Sequence, residues 1–257
     1  MNFLIEALTG SECTRLKSHF EQVELELGQS LTEPEQPITH VYFPTNSLVS
    51  VIQMMRDGAS VESGMIGREG MVGLQAWLGQ THASVRSVVQ APGQALRMRR
   101  EVFLHEVVNA HSSWNSVIAK YIDSYITLLT ITAACNRIHQ VNERLCRWLK
   151  MTQNRVGRDS FPMRQEFMAH MLGVHRPSVS IAANALKKAG LIRYERGIMT
   201  VLDSERLEKN CCECYRAIES QFERALKVSL RKGDREPGKH DLHGPPPPDS
   251  GKDKNAL

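Results

Sequence analysis

Between Ser113 and Lys150 the chain carries neither glycine nor proline, and no other feature narrows the available folds so far. Those two residues are the usual breakers of helices, so their absence over more than thirty positions predicts one long helix. The preceding hundred residues are punctuated in the opposite manner. From Thr39 to about Met98, short β-branched or apolar runs (HVYF, LVSVIQM, SVESGMI, MVGL, SVRSVVQ, ALRM) alternate with turn signals at Pro44-Thr45-Asn46, Asp57-Gly58, Gly67-Arg68-Glu69-Gly70, Gly79-Gln80 and Pro92-Gly93. Many short strands at this spacing imply a sandwich or small barrel. Upstream, SECTRLKSHFEQVELEL passes from helical spacing to alternation, a short helix entering a strand. A β-rich unit followed by a helical one is expected, and 257 residues suffice for about two domains.

Within the long helix, Trp114, Ile118, Tyr121, Tyr125, Leu128, Thr132 and Cys135 recur at alternating steps of three and four, the seam of a two-stranded helical contact. A homodimer is the natural reading; packing of the same stripe on the chain's own β domain is the alternative. No stretch approaches the ~20 uninterrupted apolar residues of a membrane span. The opening MNFLIEALTG lacks the basic start and apolar core of a signal peptide, so a cytoplasmic protein is expected. Cys13, Cys135, Cys146, Cys211, Cys212 and Cys214 follow no regular spacing and are expected to stay thiols.

The net charge of +4 conceals an asymmetry. Residues 1–110 hold eight Lys/Arg against twelve Asp/Glu, whereas residues 143–200 hold eleven against four. Attraction to a polyanion depends on where charge sits, which assigns phosphate binding to the second half.

That half contains MRQEFMAHMLGVHRPSVSIAANALKKAGLI, residues 163–192. Phe167, Met168, Met171 and Leu172 share one helical face, Gly173 permits a sharp turn, and Pro177 sits in the first turn of a second helix, where a missing N–H costs nothing. Val179, Ala182, Ala183 and Leu186 pack inward, the small alanines allowing close approach of the two helices. The strands LIRYE and IMTVL then form a hairpin about Arg196-Gly197. The exposed first turn of the second helix offers Arg176, able to bridge guanine O6 and N7, with His175, Ser178 and Ser180 as lesser donors. Gln165, Lys187, Arg193 and Arg196 are better placed for phosphates.

RQEFMAHMLGVHRPSVS followed by ALKKAGLIRYERGIMTVLD resembles the winged helix-turn-helix of the Crp/Fnr regulators, and the order of β domain, long helix and winged domain extends the likeness over about residues 15–215. The resemblance implies an α+β chain: an N-terminal double-stranded β-roll (jelly roll) sensor over 1–110, a long dimerisation helix over 111–141, and a C-terminal winged helix-turn-helix over 142–215. A C-terminal extension over 216–257 follows, disordered from about 233, where GPPPPDSGKDKNAL has almost no apolar residues. It implies a homodimeric, sequence-specific transcription regulator of double-stranded DNA, not an enzyme and not a membrane protein, with RNA polymerase as a further candidate partner. Arg176 matches the family's guanine-reading arginine. Pro177 replaces a family acidic reader and Ile181 stands where a second arginine belongs, so the operator should differ from that of the cyclic-AMP receptor protein. Arg164 replaces the usual Thr or Ser at the first helix's N-cap.

The sensor's ligand is not legible. Family members that bind cyclic nucleotides use a Gly-Glu pair for the ribose; here the pair is Gly73-Leu74, and Leu accepts no hydroxyl proton. Arg86-Ser87 is the best phosphate candidate, so Gly73, Arg86 and Ser87 are weak effector candidates and cyclic-nucleotide specificity is not expected. An iron–sulfur sensor needs several N-terminal cysteines, and only Cys13 precedes residue 135. His40, His82, His105 and His111 are available to haem, but isolated histidines are more often surface residues. Cys211-Cys212-Glu213-Cys214 invites a soft metal, but neighbouring thiols on a helix diverge and no histidine lies nearby in sequence, so no metal and no cofactor are assigned. The Gly67–Gly70 turn could present backbone donors to an anion, although a plain strand connection suffices. Two other classes remain open. A cupin-like metal-dependent enzyme would use His40, Glu62 and His82 but lacks the His-x-His usual on one strand, and a β-roll interaction module could carry a winged domain that binds no DNA.

Overall fold

The computed structural model describes residues 1–8, 10–56, 60–110 and 112–230; the Asp57-Gly58 turn, His111 and the tail from 233 lie outside them. Two N-terminal helices, α1 (Phe3–Glu6) and α2 (Gly10–Lys17), lead into β1 (Glu21–Leu25), β2 (Ser30–Thr32), β3 (His40–Pro44), β4 (Leu48–Met54) and β5 (Ser60–Ile66). The short helix α3 (Leu74–Trp77) precedes β6 (Arg86–Ala91) and β7 (Gly93–Arg99). These strands make two antiparallel sheets, ordered β1-β7-β3 and β2-β6-β4-β5. Val41, Phe43, Leu48, Val49, Val89 and Ala95 fill the interior, giving the β-roll of an α+β chain. MVGL forms no strand beyond a single bridge from Val72 to Tyr42, and the three-residue β2 is too short for its alternation to show in sequence.

Next come α4 (Arg100–Phe103), which continues as a π-helical turn over Leu104–Asn109, then α5 (Trp114–Ile138) and α6 (Val141–Val156). The uninterrupted stretch is thus two helices. His139 adopts extended backbone (φ −90°, ψ 151°), and Gln140 and Glu143 close a reciprocal capping box that starts α6. A capping box restarts a helix without glycine or proline, which is why the break is invisible to a search for breakers.

The stripe on α5 faces inward. Trp114, Ile118, Tyr121, Tyr125, Leu128 and Cys135 are buried within the chain; Trp114 stacks on Phe43 with ring centres 5.4 Å apart, and its Nε1 donates to the Leu4 carbonyl at 2.6 Å. Gly64 makes the contact with β5 possible, since a Cβ there would lie 2.8 Å from the Tyr125 hydroxyl. The predicted intermolecular seam is therefore the helix's own-domain face, because three-and-four spacing marks an apolar face without saying what covers it. One position further on, Ala119, Ile122, Ile126 and Ala133 keep the spacing on the outer side, with Ile126 57% exposed, while Leu129 turns back against Gly64.

After α6 come β8 (Ser160–Pro162), α7 (Gln165–Leu172), α8 (Arg176–Lys188), β9 (Ile192–Glu195), β10 (Ile198–Val201), α9 (Ser204–Lys209) and α10 (Cys214–Leu226). The strands form a sheet ordered β8-β10-β9. Helix α10 lies along α5, with Phe222 against Tyr121 and Gln221 Nε2 donating to Asp123 at 3.0 Å.

Helix α6 is polar yet buried from Arg144 to Val156, and it joins the winged domain to the β-roll. Arg155, 1% exposed, donates to Glu69 and Glu219 at 2.9 Å each and lies over the Phe222 ring. Asn154 donates to the Tyr215 hydroxyl at 2.9 Å and to Glu219 at 3.0 Å. Trp148 Nε1 donates to buried Glu62 of β5 at 3.0 Å. Charges removed from water this thoroughly persist only when paired and hydrogen-bonded.

Candidate nucleic-acid interface

Helix α7 ends at Gly173 in the left-handed region (φ 59°), whose N–H donates to His170, while Val174 N–H donates to Ala169. The chain then re-enters helix at α8 with Pro177 in the first turn. Val179, Ala182, Ala183 and Leu186 are buried as expected. At the hairpin tip, Arg196 (φ 49°) and Gly197 (φ 78°) both hold positive φ, the conformation that matches a two-residue turn to strand twist. A third strand, β8, braces the hairpin through Phe161 opposite Met199; three residues ending in proline gave no strand signal. Arg164, at the α7 N-cap, makes no side-chain capping bond.

Arg176, His175, Gln165, Lys187, Arg193 and Arg196 are all exposed, and Ser178 and Ser180 are half-buried. Arg176, Ser180 and Lys187 lie along α8, Arg193 and Arg196 on the hairpin, and Gln165 opens α7. The exposed side of α8 also carries Ile181, 70% exposed, and Asn184. Sequence reasoning passed over Asn184, although its position four residues after Ser180 on a helix was available as a signal. An asparagine amide can pair with adenine N6 and N7, and an exposed aliphatic side chain can meet a thymine methyl.

Burial revises the charge count. Of the eleven basic residues between 143 and 200, Arg144, Arg147, Lys150 and Arg155 are buried in α6. The exposed cations concentrate between Arg164 and Arg196, on α8 and the hairpin.

In the β-roll the weak effector candidates stand apart. Gly73 (φ 92°) caps α3 beside β3, whereas Arg86 and Ser87 open β6 in the other sheet. Arg86 pairs with Glu33 at 3.0 Å, and Ser87 is buried. Arg86 also lines a cleft of about 280 Å³ between that sheet and α7, with Glu62, Phe167 and His170. The Gly67–Gly70 turn is closed by its own carboxylate, Gly67 N–H donating to Glu69 at 3.1 Å. Glu62 faces Trp148 and Ser50, away from the exposed ring contacts of His40 with Thr39 and of His82 with Thr81, so the cupin-type trio does not assemble. All six cysteines are free thiols. Cys212 and Cys214 do meet a histidine, because the turn into α10 returns them to Cys135 and His139 at the end of α5.

Residues 143–210 match the family model described as the Crp-like helix-turn-helix domain, and residues 22–109 match that of the cyclic nucleotide-binding domain. No significant match exists among curated protein sequences. Among solved structures, the chain is similar to FixK2 from Bradyrhizobium japonicum, with TM-score 0.62 and 12% identity over 75% of this chain and 98% of that one. A CRP-family transcriptional regulator from Thermus thermophilus gives TM-score 0.59 and 16% identity over 82% and 99%. A CooA mutant from Carboxydothermus hydrogenoformans gives 0.56 and 18% over 81% and 95%. At these identities the likeness is one of fold.

Proposed function

The chain belongs to the Crp/Fnr family of transcription regulators, and from that premise we propose that it binds double-stranded DNA as a homodimer with one α8 in each of two successive major grooves. The observation that carries this reading is the exposed face of α8, where Arg176 leads a row of base-reading side chains beside a hairpin tipped by Arg196. Arg176 pairs bidentately with a guanine, while Gln165, Lys187, Arg193 and Arg196 hold phosphates and fix the register. Ile181 and Asn184 read a thymine methyl and an adenine edge, which separates this operator from those read by an acidic residue and a second arginine.

Dimerisation uses the outer seam of α5, Ala119, Ile122, Ile126 and Ala133, since the inner stripe is already covered. The β-roll answers a signal other than a cyclic nucleotide. Leu74 supplies no acceptor for a ribose, and Arg86 already has a carboxylate partner in Glu33. The chain acts as a transcription regulator.

Selection from random duplexes tests the assignment. Wild-type protein should enrich a near-palindromic site, and Arg176→Ala should lose preference at one guanine per half-site at a cost of about 1–3 kcal/mol. An unchanged preference in the variant would remove Arg176 from the readout.

A further inference from the structure

We propose that Cys135, His139, Cys212 and Cys214 form a Cys3His zinc site that ties helix α10 to the junction between α5 and α6. The four ligand atoms all lie within 4.8 Å of one another, the one such group of His, Cys, Asp or Glu among the described residues. Cys135 Sγ is 3.5 Å from Cys212 Sγ, and Cys214 Sγ is 3.6 Å from His139 Nδ1. With Zn–S near ~2.3 Å and Zn–N near ~2.0–2.1 Å, the edges of a tetrahedron come to roughly 3.8 Å between sulfurs and about 3.5 Å between sulfur and nitrogen. Both observed edges are within a few tenths of an ångström of those values. One thiol–thiol hydrogen bond would explain one short distance, but not three thiols and an imidazole converging on one point.

The surroundings fit a bound cation. His139 turns Nδ1 toward the sulfurs, and its Nε2 meets the Glu213 carboxylate at 3.0 Å. A carboxylate on the far nitrogen is the usual way a metal-bound histidine is oriented. Cys135, Cys212 and Cys214 are buried, and the guanidinium of Arg147 lies close enough to act electrostatically on all three. Its charge would offset the single negative charge of three thiolates and one neutral imidazole around Zn2+. Binding releases the three thiol protons to solvent and changes no oxidation state. Four protein ligands leave no open position, so the site is structural. A polynuclear iron–sulfur cluster, which interposes its own atoms between thiolates, needs a wider cage. Cys211 is outside the site, its sulfur directed to the Leu207 carbonyl.

The test uses untagged full-length protein purified anaerobically with reductant. Elemental analysis should give one zinc per chain. Titration of the metal-free protein with Co2+ should give the intense visible bands of a tetrahedral ion together with thiolate-to-cobalt charge transfer. Cys212→Ser and His139→Asn should abolish tight binding, Cys211→Ser should retain it, and Glu213→Gln should weaken it roughly 10–100-fold. Should the ligand variants fail to fold, the wild-type cobalt spectrum decides alone. The weak spectrum of an octahedral ion, sub-stoichiometric zinc in folded protein, or a Cys135–Cys212 disulfide in the fresh preparation would each overturn the proposal.

Discussion

Glu62 shows how a single buried carboxyl can set the pH dependence of this chain. It accepts hydrogen bonds from Ser50 at 2.5 Å and Trp148 at 3.0 Å, with Arg147 and Arg155 nearby, yet burial outweighs these and pushes its pKa up to about 7. Because the folded pKa lies above the unfolded one, the folded state holds a proton that the unfolded state has lost between about pH 4.5 and 7. Its contribution is most favourable below that window, and stability declines as pH rises through it, by on the order of 3 kcal/mol. Glu62→Gln should flatten urea-denaturation stability across pH 5–8 and leave the variant the more stable at pH 8; an unchanged pH slope would show that Glu62 is ionised in the fold. Arg155 is the opposite case, a buried cation between two carboxylates. Arg155→Met strands Glu69 and Glu219 and should cost about 3–5 kcal/mol in the same measurement at neutral pH.

Helix α5 is decided by its two stripes. The aromatic one, from Trp114 to Leu128, is larger and meets the sheet, where Gly64 leaves room for it. The aliphatic one, centred on Ile126, is left on the outside. Ile126→Lys should therefore convert a dimer to a monomer in sedimentation equilibrium while leaving the circular dichroism spectrum intact. Tyr121→Lys, by contrast, should disrupt folding itself. Dimeric Ile126→Lys protein would place the contact elsewhere. Operator affinity should fall along with the loss of dimerisation, because one α8 then engages only one half-site.

Across the whole molecule, α6 divides the charge between two uses. Its own cations are buried between the domains, and those of α8 and the hairpin remain for a polyanion. The salt dependence of binding should report the exposed set alone. Arg196→Ala should weaken DNA binding about equally across sequences and reduce the slope of log K against log salt by about 1. A changed base preference in that variant would make the hairpin tip a reader rather than an anchor. The same burial makes α6 the mechanical link through which the β-roll and the winged domain meet, at Trp148 and Glu62 and at Arg155 and Glu69.

The sequence by itself determined the local pieces: the longer strands between their turns, the sharp bend at Gly173, the outward first turn of α8 with Arg176, and the Arg196-Gly197 hairpin. Each follows from backbone sterics or from a periodicity within about a dozen residues, so the signal and the structure occupy the same window. The tertiary structure alone decided what each surface meets. It turned the aromatic stripe of α5 inward and the aliphatic one outward, buried the basic residues of α6, and brought Cys135 and His139 to Cys212 and Cys214, more than seventy residues away. Contacts of that kind depend on how elements pack in three dimensions, and a one-dimensional pattern carries the chemistry of a face but not its partner.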